Sequence, residues 1–70
     1  MADNWTQIAD PTPGEYREHV ADAWWISAAE TELIEQFHTL ENATPAFYRF
    51  DVTAPDSGKC YPTLLEAIRG

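Results

Sequence analysis

The sequence has a single cysteine, Cys60, among its 70 residues, which excludes an internal disulfide. A lone thiol is typical of a reducing compartment, so we expect a cytoplasmic protein. No basic segment is followed by an apolar one, so we expect no secretory signal. The longest apolar run, residues 23–26, is far too short to span a bilayer, and we expect no membrane segment.

Basic residues are scarce as well. The chain contains four Lys and Arg residues and twelve Asp and Glu residues, which gives a net charge of −8. Phosphate backbones and anionic lipid surfaces repel such a chain, so direct binding to nucleic acid or membranes is not expected. The natural complement is a basic surface on another protein, because opposite fields speed encounter.

The short length limits the architecture. It excludes a two-domain enzyme, a Rossmann unit with a partner domain and a barrel of repeated βα units. Hydrophobic residues make up 44% and aromatic residues 13% of the chain, which is typical of a globular protein. We predict one small domain over residues 1–70, with residues 1–12 as a loose segment.

Residues 13–25 are predicted to form a helix. Thr12 is suited to the N-cap, Pro13 to the first helical position and Glu15 to a capping box. The apolar residues that share one helical face are Tyr16, Val20, Ala23 and Trp24. A strand over residues 19–26 is the alternative, because Trp and Ile favour β structure.

A second helix is predicted over residues 28–41. Ser27 and Glu30 form a capping box before it. The apolar stripe consists of Ala29, Leu33, Phe37 and Leu40, with Ile34 on its flank. The stripes of the two segments are out of phase by about a third of a turn, which favours a break near Ser27.

The C-terminal third alternates between two faces. Residues 46–53 are predicted as a half-buried strand, 55–58 as a turn and 59–61 as a short second strand. A capping box at 63–66 predicts a short helix that ends at Gly70. The predicted fold class is α+β, in the order α-α-β-β-α, or β-α-β-β-α if residues 19–26 form a strand.

The sequence contains no convincing catalytic or metal-binding motif. Glu35 and His38 form one Glu-x-x-His pair, whereas di-iron bundles need two pairs and further Glu residues. Cys60 lacks an identifiable base. The segment 56–59 lacks the glycine and the Ser or Thr of a phosphate loop. We therefore predict no enzyme activity, no metal and no cofactor.

Binding to another protein is the remaining class of function. Residues 27–42 contain four acids and no Lys or Arg. Trp24 and Trp25 would point ~100° apart on a helix, so both do not easily enter one small core. Aromatic rings beside carboxylates anchor interfaces. The predicted partner-binding residues are Trp25, Glu32, Glu35, Glu41, Phe47, Arg49 and Asp51. Alternatively, a second layer or a dimer mate covers these rings.

In size and charge, the chain resembles small acidic proteins of phages and mobile elements, including anti-CRISPR proteins and DNA mimics. The resemblance covers no motif, so it assigns no individual residue. It implies a non-enzymatic inhibitor of a larger protein with a basic, nucleic-acid-handling surface, where carboxylates take the place of phosphates. The alternatives are an antitoxin or immunity-type partner of a basic toxin, and a self-associating accessory or structural subunit.

Overall fold

The computed structural model describes residues 4–70. It is a five-stranded antiparallel sheet, with the strands in chain order, followed by one short helix. The elements are β1 (Thr6–Ile8), β2 (Val20–Ile26), β3 (Glu32–His38), β4 (Ala46–Asp51), β5 (Ala54–Tyr61) and α1 (Leu64–Arg69). The fold is mostly β. Both predicted orders, α-α-β-β-α and β-α-β-β-α, are therefore wrong.

The segment predicted as the first helix, 13–25, instead contains a turn and most of β2. The amide of Glu15 donates to the carbonyl of Thr12, at 3.2 Å, but no helix follows. The β2–β3 register shifts between Ala21 and Ala23. The alternative prediction for this segment, a strand over residues 19–26, matches β2. The register shift changes the phase of the side chains within this strand.

The predicted helix over 28–41 is replaced by a turn and β3. Ser27 does cap, but its Oγ accepts from the amides of Thr31 and Glu32 at the start of a strand. Three consecutive residues of β3, Leu33 to Glu35, are buried. Because both faces of this central strand are covered, the period of two is hidden, and the spacing of its apolar residues also fits a helix.

The strand predicted over 46–53 is confirmed as β4, although it ends at Asp51. The chain reverses at residues 52–53, so the predicted turn at 55–58 is wrong and these residues belong to β5. The C-terminal helix is confirmed as α1. The Oγ1 of its N-cap Thr63 accepts from the amide of Glu66 at 3.1 Å.

The helix α1 packs on one face of the sheet, which we call the helix face. Its buried core consists of Ile34, Phe47 and Ala67, with Trp5, Trp25, Tyr61, Leu64 and Ile68 packed around them. The opposite face carries Trp24, Glu35 and Tyr48, which lie side by side on adjacent strands. Residues 10–19, which we call the arm, lie against this opposite face, the arm face.

Candidate functional site

The arm is fixed by one arginine. The two Nη atoms of Arg17 donate to the two carboxylate oxygens of Asp10, at 3.0 and 3.1 Å. The guanidinium lies over the Trp24 ring, 5.2 Å from the ring centroid. Its Nε is 3.8 Å from Oε2 of Glu35. Arg17 therefore joins the start of the arm to the middle of the sheet.

A buried carboxylate lies below the arm. Glu35 is only 5% exposed, and its Oε2 is 2.8 Å from Nε2 of His19. The His19 ring in turn lies 5.0 Å from the ring of Phe37. Buried carboxylates require such partners, because an unpaired charge in a protein interior is costly.

The arm and the sheet line an open groove of about 670 Å³. Its floor is formed by Trp24, Leu33, Glu35, Tyr48 and Phe50, its first wall by residues of the arm, and its second wall by Val52, Pro55 and Asp56. The floor rings contact one another. Trp24 meets Phe50 edge-on at 6.5 Å, and Tyr48 stacks on Phe50 at 5.2 Å.

The second wall is held by the Tyr48 hydroxyl. This group donates to the carbonyl of Pro55, at 2.6 Å, and accepts from the amide of Gly58, at 2.9 Å. Gly58 allows this close approach, because a Cβ there would lie 2.6 Å from Cζ of Tyr48 and 2.8 Å from Cβ of Phe50.

The charged side chains of the groove are mainly acidic. The carboxylates in its lining are Glu15, Glu18, Glu35 and Asp56, whereas Arg17 is its one Lys or Arg side chain among the described residues. At the edge of the arm, the Thr12 amide and the Arg17 guanidinium lower the pKa of Asp10. The charge of Arg17 is already opposed by Asp10 and Glu35, so the rim of the groove is negative.

The acidic character extends over the surface. The exposed carboxylates among residues 4–70 are Glu15, Glu18, Asp22, Glu30, Glu41, Asp51, Asp56 and Glu66. Hydrogen bonds from the hydroxyl and amide of Thr53 lower the pKa of Asp51. Arg17 and Arg49 are both held in ion pairs within the fold, whereas Lys59 and Arg69 are exposed.

The predicted partner-binding residues lie in three places. Trp25, Glu32, Phe47 and Arg49 are on the helix face, Glu35 is on the arm face, and Glu41 and Asp51 are exposed. The second layer over the outer rings is α1 of the same chain, since Phe47 is buried against Ala67. A contact of these residues with a partner stays a prediction.

The groove itself was missed from the sequence. Glu35 was interpreted as surface charge because a helix was predicted there. Alternation of Leu33, Glu35 and Phe37 along a strand would have placed this carboxylate among apolar side chains, which is the signal that was available.

Each histidine contacts a carboxylate that is distant in the sequence. Nδ1 of His38 is 2.7 Å from Oδ2 of Asp22, while Glu35 contacts His19. Glu35 and His38 therefore do not share a site. Within residues 4–70, no group of three or more His, Cys, Asp or Glu side chains is arranged to hold a metal ion. Cys60 is exposed on β5.

Comparison with known proteins adds no assignment. In the part of the chain described, no helix is long and apolar enough to cross a membrane. No protein-family model matches the sequence, no curated protein matches it significantly, and no solved structure is significantly similar to the fold.

Proposed function

We propose that this protein is a non-enzymatic inhibitor that binds a basic, nucleic-acid-handling surface of a larger protein. The observation that supports the proposal is the unequal use of charge in the fold. Two of the four Lys and Arg residues, Arg17 and Arg49, form ion pairs inside the structure. Most of the carboxylates stay exposed, so the surface is strongly negative.

A surface of this kind attracts a basic partner before contact is made. Complementary fields raise association rates, and salt screens them over about 8–10 Å at ordinary ionic strength. A basic surface that normally holds phosphates has a similar preference for carboxylates. The protein would therefore compete with nucleic acid for the partner without binding nucleic acid itself.

The test is capture from a nuclease-treated host lysate, followed by competition with the purified partner. We expect a basic protein that is released as salt rises and that loses its nucleic acid when this protein is added. Reversal of exposed charges, Glu18→Lys with Glu41→Lys, is expected to slow association. Binding that is independent of salt and insensitive to both reversals would contradict the proposal.

Self-association is the second candidate, and the edge of the sheet favours it. β5 is an outermost strand of eight residues, Ala54–Tyr61. Edge strands present backbone groups that can pair with another chain. Light scattering distinguishes this candidate, because a stable dimer doubles the mass and an inhibitor that acts alone stays monomeric.

A further inference from the structure

The arm-face groove combines stacked rings with carboxylates. Its floor contains the ring pair Tyr48 and Phe50, which stack at 5.2 Å. Tyr16 lines the same groove and is 84% exposed. Cations are attracted to the faces of aromatic rings, and the attraction adds to that of a nearby carboxylate.

Both walls of the groove carry exposed carboxylates. Glu15 and Glu18 lie on the arm, and Asp56 lies on the opposite wall. All three are exposed, and none of their side chains forms a hydrogen bond or ion pair with another described residue. They therefore line the groove on both sides of the rings as negative charges that no side chain among residues 4–70 pairs with.

The protein already binds one guanidinium in this way. Arg17 lies over Trp24, at 5.2 Å from the centroid, and bonds to both oxygens of Asp10. The guanidinium thus stacks on a ring and forms a bidentate pair with one carboxylate. Arginine is better suited to this geometry than lysine. The remaining rings and wall carboxylates offer the same combination, and within the described part of the chain no Lys or Arg stacks on these rings.

We infer that the groove receives an extended, arginine-bearing segment of the basic partner. Its guanidinium groups would lie on the rings of Tyr16, Tyr48 and Phe50 and pair with Glu15, Glu18 and Asp56. The volume of about 670 Å³ is within the range of about 300–1,000 Å³ usual for ligand pockets. The inference rests on the proposed function and locates its contact surface.

The experiment uses a capped hexa-arginine peptide as the probe and calorimetry at low salt as the measurement. Hexa-lysine tests the preference for a planar guanidinium, and hexa-citrulline, which has the same shape without the charge, tests the need for a cation. We expect binding to weaken from arginine to lysine by several-fold, and to be lost with citrulline.

Two double variants, each a pair of substitutions in one protein, locate the site. Glu18→Gln with Asp56→Asn removes one carboxylate from each wall, whereas Glu30→Gln with Glu41→Gln removes the same charge outside the groove lining. We expect about tenfold weaker arginine binding for the first pair and at most about twofold for the second. Tyr16→Ala, at an exposed position, is expected to weaken binding with an unchanged unfolding midpoint.

The possible failures are distinguishable. An equal loss of hexa-arginine affinity in both double variants would contradict binding in the groove and would leave general charge attraction as the mode of binding. Failure of the wild-type protein to bind hexa-arginine at low salt would also contradict the inference that the groove receives arginine. The proposed function is decided separately, by salt-sensitive competition with nucleic acid on the intact partner. If the first pair of variants fails to fold, as judged by circular dichroism, Tyr16→Ala decides the inference alone.

Discussion

Arg49 of β4 and Glu32 of β3 form a bidentate ion pair, with Nε 3.0 Å from Oε1 and Nη2 2.9 Å from Oε2. The remaining Nη1 donates to the carbonyls of Ala67 and Ile68, both at 2.9 Å. One guanidinium thereby connects two strands to the C-terminal end of α1, where unpaired helical carbonyls attract a cation. Arg49 thus has a structural role that its position in the sequence does not reveal.

Arg49→Lys is expected to lower the free energy of unfolding by about 2 kcal/mol. The ammonium group of lysine does not reproduce the planar set of bonds to a carboxylate and two carbonyls. Urea unfolding followed by tryptophan fluorescence measures the change. Arg69→Lys, at an exposed position, is the matched control and is expected to change stability by less than about 0.5 kcal/mol. Equal midpoints for the two variants would contradict the structural role.

Glu35→Gln is expected to destabilise the protein by about 2 kcal/mol, because it removes a buried charge from its partners Arg17 and His19. The arm should also loosen. Trypsin cleavage after Arg17 is therefore expected to be faster in this variant than in the wild type. Glu41→Gln, which makes the same change at an exposed residue, is the control. An unchanged cleavage rate in Glu35→Gln would show that the buried carboxylate does not hold the arm.

Gly58→Ala is expected to cost about 2 kcal/mol, since the new methyl group would overlap Tyr48 and the backbone of Arg49. The second wall of the groove should shift with it. Thermal unfolding measures the loss, and Ser57→Ala, at the adjacent exposed position, controls for a change in β5. A melting temperature equal to that of the control would exclude the close approach.

Stability is expected to fall in acid through Asp10 and Asp51, whose pKa values lie below the usual 3.8 in the folded protein. A carboxyl with a lowered folded-state pKa stabilises the native state fully above its unfolded-state value. That contribution is lost as the pH falls through the folded-state pKa. Urea midpoints between neutral pH and the region below 3.8 measure the loss. Asp10→Asn with Asp51→Asn should flatten the profile, and a profile as steep as that of the wild type would contradict this assignment.

Some of the fold could be predicted from local signals. The helix α1 was found because its cap, Thr63, and its glycine end, Gly70, lie within the segment itself. The strand β4 was found because Tyr48 and Phe50 alternate with Phe47 and Arg49. Neither prediction needed knowledge of what the element packs against.

The candidate site was not predicted, because its residues come together only across the sheet. The predicted helix over 28–41 placed Leu33 in the apolar stripe and Glu35 on the surface. In the strand both side chains lie on the same face and form part of the groove floor. The short arm has no periodicity of its own. Its position depends on Arg17 reaching Asp10, Trp24 and Glu35, which are contacts between distant parts of the chain.

The sequence by itself determined the net charge, the absence of an internal disulfide and the locally capped helix α1, because these depend on composition or on neighbouring residues. Only the tertiary structure decided that β2 and β3 are strands and that Glu35 is buried. A helix satisfies its backbone hydrogen bonds within one segment, whereas a strand satisfies them on a neighbour. The central strand β3 is covered on both faces by α1 and the arm, so its identity was settled by residues that lie far from it in the chain.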